Sequence, residues 1–245
     1  MKFKPPGPDK NLYLRGEIFY YIIELPRKNG KRRYYIKSIH TDHYYEAREK
    51  VKDMEKNMET QENIYDFVIV HGSYGSPFEN WFSWLFQKLE AKGFKVLVPQ
   101  FPCGKENQNY ENWFRILDSY SSFLGSKTTY IGHSLGPAFI TDYLLDKQLK
   151  AKGLYFVAPL YQKLNSEFDD VNTPFFIRND LEKLKELSEK RVCFVSDNDP
   201  YVPNAISFDF AEKISAEIKI VKDAGHFNTA AGYDTFPLLL EQLLQ

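Results

Sequence analysis

The stretch Thr128-Thr-Tyr-Ile-Gly-His-Ser-Leu-Gly136 decides how the rest of the chain is read. Thr128 to Ile131 is a β-branched and aromatic run, the composition of a short buried strand. It passes directly into Gly132-His133-Ser134-Leu135-Gly136, which fits Gly-x-Ser-x-Gly. An apolar run suited to a helix, Pro137-Ala-Phe-Ile-Thr-Asp-Tyr-Leu-Leu145, follows at once. A sharp strand-to-helix turn would hold Ser134 in a strained backbone conformation and lift its hydroxyl clear of the sheet. Glycine is needed at 132 and 136 because a Cβ there would crowd the neighbouring strand or helix. The first N–H groups of the following helix favour a developing anion beside the serine.

A serine hydroxyl is a weak nucleophile and needs a base, which in turn needs an orienting acid. Both residue types follow in the order Ser, Asp, His. Val192-Cys-Phe-Val-Ser196 reads as a strand and runs into Asp197-Asn-Asp-Pro-Tyr-Val-Pro203. Glu217-Ile-Lys-Ile-Val221 reads as another, followed by Lys222-Asp-Ala-Gly-His226. Three separate segments therefore bring a serine, a carboxylate and a histidine to the carboxyl ends of strands. In an extended segment Asp197 and Asp199 share a face. Pro200 and Pro203 stiffen the loop behind Asp199 and favour it, and Asp197 stays open as the competitor.

The 245 residues, 43% apolar and 16% aromatic, suffice for one full α/β domain and a small appendage. No apolar run reaches membrane-spanning length. The N-terminus lacks the apolar core of a secretory signal, and two cysteines, Cys103 and Cys193, make no disulfide framework. A cytoplasmic protein with free thiols is expected. Residues 1–60 carry 14 Lys and Arg against 9 Asp and Glu, whereas residues 61–245 carry 18 against 24. That shift coincides with a change of pattern and marks a boundary between an N-terminal module, 1–60, and a larger domain, 61–245.

In the N-terminal module, Leu12–Arg15 and Glu17–Leu25 read as strand, Pro26–Gly30 as a turn and Lys31–Ile39 as a returning strand. Thr41 or Asp42 would cap a helix reaching about Glu59. From Tyr65 onward strands alternate with helices: strands at 65–70, 94–98, 128–131, 153–157, 192–196 and 217–221, and helices at 78–89, 109–124, 137–145, 180–190, 204–215 and 236–244. This alternation predicts an α/β fold with a mainly parallel, doubly wound sheet.

Residues 61–245 resemble the small serine hydrolases grouped with retinoblastoma-binding protein nine and its bacterial relatives. The resemblance is carried by His71-Gly72, Asn80-Trp-Phe-Ser-Trp-Leu85, Ile131-Gly-His-Ser-Leu-Gly136, Ser196-Asp-Asn-Asp-Pro-Tyr-Val-Pro203 and Gly225-His-Phe-Asn228. It implies an α/β-hydrolase without a cap domain that cleaves carboxylic esters or small amides through an acyl-enzyme. By the same resemblance Ser134 is the nucleophile, Asp199 the acid and His226 the base. The Leu-x-Cys-x-Glu motif for binding the retinoblastoma protein is absent around Cys103, so that partner is not implied. The N-terminal module resembles the arm-binding region of phage-type tyrosine recombinases at Arg15-Gly-Glu-Ile-Phe-Tyr-Tyr21, Leu25-Pro26, Lys31-Arg-Arg-Tyr-Tyr-Ile-Lys-Ser38 and Tyr45-Glu-Ala-Arg-Glu-Lys50. That resemblance implies a small sheet touching nucleic acid through basic residues between 27 and 37. The plainer expectation for those residues is a solvated hairpin face. The competing function is a non-catalytic binding protein of this fold, DNA-associated through the basic module.

The oxyanion donors are expected at the backbone N–H of Leu135 and of Ser73, with Tyr74 the alternative to Ser73. Tyr74, Phe101, Leu160 and Phe227 are expected at a shallow substrate pocket beyond the strand ends, suited to small acyl groups. Trp81, Phe82 and Trp84 lie at helical spacing and belong mostly to the core. His71 and His133 are expected to pack rather than titrate. His40 and His43 lack metal-ligand spacing, and neither a metal nor a cofactor is expected.

Overall fold

Apolar alternation in Leu12–Arg15 (β1), Ile18–Lys28 (β2) and Lys31–Ser38 (β3) pairs these segments as an antiparallel sheet in the order β1-β2-β3. The computed structural model describes residues 12–15, 17–28, 31–62, 64–176 and 180–245, and two units separate between Asn63 and Ile64. In the first unit, β2 runs through Pro26 to Lys28 instead of stopping at Leu25. Proline has no N–H for the ladder, and the pairing register shifts between Leu25 and Lys28. The expected Asn29-Gly30 turn and the tail 1–11 lie outside the described residues, as do the side chains of Arg27, Lys28, Lys31, Arg32 and Arg33. Lys37 is exposed.

Tyr44–Glu62 forms α1. It starts two residues beyond the expected cap. Thr41 Oγ1 accepts the N–H of His43 at 3.2 Å and donates to Glu46 at 2.8 Å, tying the entry to the first turn. Ala47 and Val51 of α1 pack on Leu12, Phe19, Tyr21 and Ile39 to make this unit's small core.

The second unit contains Phe67–Val70 (β4), Phe82–Glu90 (α2), Val96–Leu97 (β5), Tyr110–Asp118 (α3), Thr129–His133 (β6), Gly136–Lys147 (α4) and Gly153–Val157 (β7). It continues with Asp169–Asn172 (α5), Leu184–Leu187 (α6), Arg191–Ser196 (β8), Asn204–Lys213 (α7), Glu217–Val221 (β9) and Pro237–Leu243 (α8). The sheet order is β5-β4-β6-β7-β8-β9 and every pairing is parallel. β4, β6 and β7 are buried at every position, as strands covered by helices on both faces must be. One face buries Trp113, Phe139, Phe156, Phe175 and Phe210, and the other buries Trp81, Phe82, Phe194 and Phe236. The chain leaves β4 to either side, so a crevice opens at the carboxyl ends of β4 and β6.

Two expected helical stretches, 204–215 and 236–244, lose only one or two residues at their ends, and three others are markedly shorter in the structure. The one at 109–124 ends at Asp118 and is followed by a tight turn, Ser121–Phe123. The one at 78–89 starts only at Phe82, after Asn80 adopts φ +50. The one at 180–190 reduces to a tight turn at Leu181–Lys183 and the four residues of α6, because Ser188 turns extended. Among the described residues no helix is long and apolar enough to cross a membrane.

Candidate active site

Ser134 sits in the turn between β6 and α4 with φ +58, a left-handed conformation that costs a non-glycine residue energy. Its backbone stays pinned to the sheet. The N–H donates to Val157 O at 2.9 Å, and the carbonyl accepts from Leu160 N at 2.9 Å. Gly136 is needed because a Cβ there would stand 2.7 Å from Val70 O. Gly72, on the loop after β4, meets the serine itself: a Cβ would lie 2.8 Å from Ser134 Cβ. That approach carries Ser73 to the side of Ser134.

His226 lies on the loop after β9, and Asp199 on the loop after β8. His226 Nδ1 and Asp199 Oδ2 are 2.7 Å apart, with the two side chains 11% and 3% exposed. Asp199 Oδ1 accepts the N–H groups of Tyr201 at 2.9 Å and Val202 at 3.0 Å. The carboxylate is thereby aimed from behind, and Nδ1 of His226 carries the proton between them, leaving Nε2 as the basic nitrogen. Asp197 is committed elsewhere, accepting the N–H of Asp223 at 2.8 Å, and Asn198 accepts that of Gly225 at 2.7 Å. These two residues clasp the histidine loop to the β8 loop. No hydrogen bond joins Ser134 to His226 among the described residues, and both side chains line one cavity.

Two further histidines hold the site without charge. His133 Nε2–H donates to the carbonyl of His226 at 2.8 Å, and its ring centre lies 4.8 Å from that of His226. Burial, reinforced by the neighbouring His226, pushes its pKa down to about 3. His71 Nδ1–H donates to Gly72 O at 2.8 Å while Nε2 accepts the N–H of Phe101 at 3.0 Å. Burial lowers His71 to about 4. Trp81 Nε1–H donates to Phe227 O at 3.1 Å and so braces the residue after His226.

Of the two candidates for the second oxyanion donor, Tyr74 has its N–H engaged by Gln108 Oε1 at 2.9 Å. The N–H groups of Ser73 and Leu135 have no acceptor among the described residues. Ser73, Ser134 and His226 open into a cavity of about 180 Å³ whose apolar wall is Leu160, Leu164, Phe168, Tyr201 and Val202.

Leu160 thus lines the cavity. Phe101 and Phe227 do not. Both are fully buried: Phe101 stacks on Trp113 at 4.7 Å and Phe227 on Phe236 at 5.3 Å. They follow strand ends, but their rings turn back into the two layers of core. Tyr74 is half exposed, its ring edge-on to Phe168 at 6.4 Å. Sequence reasoning missed Phe168, Asn172 and Gln108, which no motif marks. Tyr201 and Val202 were within reach, since they lie two and three residues after the candidate acid.

A family model described as serine hydrolase matches residues 67–245, and the chain belongs to that family. YdeN of Bacillus subtilis (strain 168) is 28% identical over 179 residues, spanning 71% of this chain and 92% of YdeN. The serine hydrolase RBBP9 of Rattus norvegicus is 25% identical over 179 residues, spanning 72% of this chain and 94% of RBBP9. The crystal structure of the B. subtilis ydeN gene product superposes with a TM-score of 0.66 at 27% identity, over 74% of this chain and 97% of that one. A carboxylesterase structure from Nitrososphaera gargenis shares the fold, with a TM-score of 0.58 at 13% identity over 74% of this chain and 89% of that one. The second unit is an α/β-hydrolase fold without a cap domain among its described residues, and the protein is a hydrolase of the serine class.

Proposed function

We propose that this hydrolase cleaves small carboxylic esters or small amides through Ser134, His226 and Asp199. As Ser134 Oγ attacks the acyl carbon, His226 Nε2 takes its proton and Asp199 stabilises the imidazolium. The carbonyl π electrons move to oxygen, where the N–H groups of Leu135 and Ser73 receive the anion. Collapse of this intermediate breaks the bond to the leaving group, which takes the proton from His226 and departs as alcohol or amine. The acyl group stays on Ser134. Water, deprotonated by His226, then attacks the acyl carbon, releases the acid and restores the serine.

The observation that carries this reading is the 2.7 Å Asp199–His226 pair, whose histidine opens into the same cavity as a serine at φ +58. Cavity size supports short acyl groups. The test is fluorophosphonate labelling of wild type against Ser134→Ala, followed by turnover of p-nitrophenyl acetate and butyrate. Labelling and turnover are expected in the wild type and lost by at least ~10³-fold in the variant. Folded wild type that takes no label would turn the reading toward a binding protein of the same fold. Long-chain esters cleaved far faster than acetate or butyrate would refute the short-acyl preference.

A further inference from the structure

Behind the oxyanion loop lies a buried polar chain that the reaction above does not use. Gln108 is 1% exposed and Asn172, at the end of α5, is 3% exposed. Gln108 Oε1 accepts the N–H of Tyr74, a residue held at φ +55, while Gln108 Nε2 donates to Asn172 Oδ1 at 3.2 Å. The hydroxyl of Ser73 donates to the same Asn172 oxygen. These two donors settle which way the Asn172 amide is turned, since its oxygen must face both of them. The Nδ2 amino group then has no partner among the described residues, in a residue that lines the cavity beside Ser134 and His226. Gln108 in turn cannot rotate without releasing the N–H of Tyr74.

We propose that Asn172 is a specificity-determining residue whose amide N–H groups bind a second acceptor oxygen of the substrate, with Gln108 setting the orientation of that amide. The substrate class is then an acyl group that carries a carbonyl or ether oxygen beyond the scissile carbonyl. Asn172 lines the cavity together with the apolar Leu160, Leu164, Phe168 and Val202, so an amide donor reaching the cavity there loses its hydration on substrate binding. It regains a partner only if the substrate supplies one, so a plain alkyl chain is disfavoured.

This rests on the ester-hydrolase reading, and the experiment separates the two. Two pairs of p-nitrophenyl esters of matched shape are compared by kcat/KM: methoxyacetate against butyrate, and 4-oxopentanoate against 4-methylpentanoate. The quantity read is the ratio within a pair in a variant, relative to the same ratio in the wild type. This cancels both the intrinsic reactivity of each ester and any general loss from a disturbed loop. Asn172→Asp keeps an acceptor for Ser73 and Gln108 and replaces the donors by an acceptor. It is expected to lower the ratio of at least one pair about tenfold. Gln108→Glu keeps the acceptor for Tyr74 but invites the Asn172 amino group to turn toward the new carboxylate. It should lower the same ratio and gives a second route if Asn172→Asp does not fold. Ratios unchanged in the folded variants, with an active wild type, would overturn the proposal. Wild type inert toward all four esters and unlabelled by fluorophosphonate would overturn the ester-hydrolase reading, and this proposal with it.

Discussion

The turn that carries Ser134 and the loops that carry Asp199 and His226 meet at one cavity, but they are held by different physics. Around Ser134 the backbone itself is the constraint. Gly72 and Gly136 sit where one added carbon would meet Ser134 Cβ at 2.8 Å or Val70 O at 2.7 Å, and residues 128–145 are buried without a break. The loops after β8 and β9 are held by side chains. Asp197 takes the N–H of Asp223, Asn198 that of Gly225, and Asp199 those of Tyr201 and Val202. One half of the site tolerates no extra atoms. The other tolerates atoms but depends on which of them donate and which accept. A nucleophile must be presented in a strained pose, which dense packing can enforce. A base needs a defined tautomer, which only hydrogen bonds can select.

The sharpest way to break this comparison is a swap of oxygen for nitrogen at Asp199. An asparagine in its place would keep an acceptor for Tyr201 and Val202, but its amino group would donate to His226 Nδ1. The ring proton would move to Nε2 and take away the base proposed there. Asp199→Asn is expected to lower kcat on the order of 10³- to 10⁴-fold with little change in melting temperature. The same swap two residues away, Asp197→Asn, keeps its acceptor for Asp223 and is expected to stay within ~3-fold in activity and ~1 kcal/mol in stability. Equal losses at both positions would mean that the loop clasp, not the tautomer, governs the histidine.

The steric half is tested by adding one methyl group. Gly136→Ala forces the turn away from Val70 O and is expected to cost about 2–3 kcal/mol in denaturant unfolding. A fully stable Gly136→Ala protein would show that the turn has slack and that the contrast between the two halves is overstated.

The most gradual effect, spread over several pH units, is one of pH. His133 and His71 hold pKa values of about 3 and about 4 in the folded chain, below the ordinary value of 6.5. As pH falls through 6.5 the unfolded chain binds protons that the folded chain refuses, so stability is present above that pH and declines beneath it. The decline stops near pH 4 for His71 and near pH 3 for His133. Each contributes up to about 1.4 kcal/mol per pH unit within its window. His133→Gln keeps an N–H for the His226 carbonyl and is expected to flatten the urea-midpoint profile between pH 6 and 4. An unchanged slope would show that carboxylates, not this histidine, govern acid unfolding.

Much of this was legible in the chain because the signals are local. Five of the six parallel strands show as short apolar runs bounded by turn residues and β9 as an alternating one, and Ser134 shows through a motif whose Gly132 answers to Pro137 and Ile140 of the same turn, although its Gly136 answers to Val70 on another strand. What stayed ambiguous depended on partners distant in sequence. Asp197 and Asp199 alternate onto one face of an extended segment, and they part only because Asp223 claims one and His226 the other. Ser73 is the first candidate donor and Tyr74 the alternative, and the alternative stays open until Gln108, 34 residues on, takes the N–H of Tyr74. Phe101 and Phe227 stand next to strand ends in the sequence, but which way an aromatic ring turns there is set by the room left by Trp113 and Phe236.

The amino-acid sequence by itself therefore determined the α/β alternation, the strand-to-helix turn at Ser134 and the arrival of a carboxylate and a histidine after later strands. Periodicity and turn sterics act over a few residues and can be read there. Only the tertiary structure decided which carboxylate meets His226, which N–H groups stay without an acceptor, and that Asn172 lines the cavity with Gln108 behind it. Those outcomes are settled by competition among hydrogen-bonding groups brought together from across the chain.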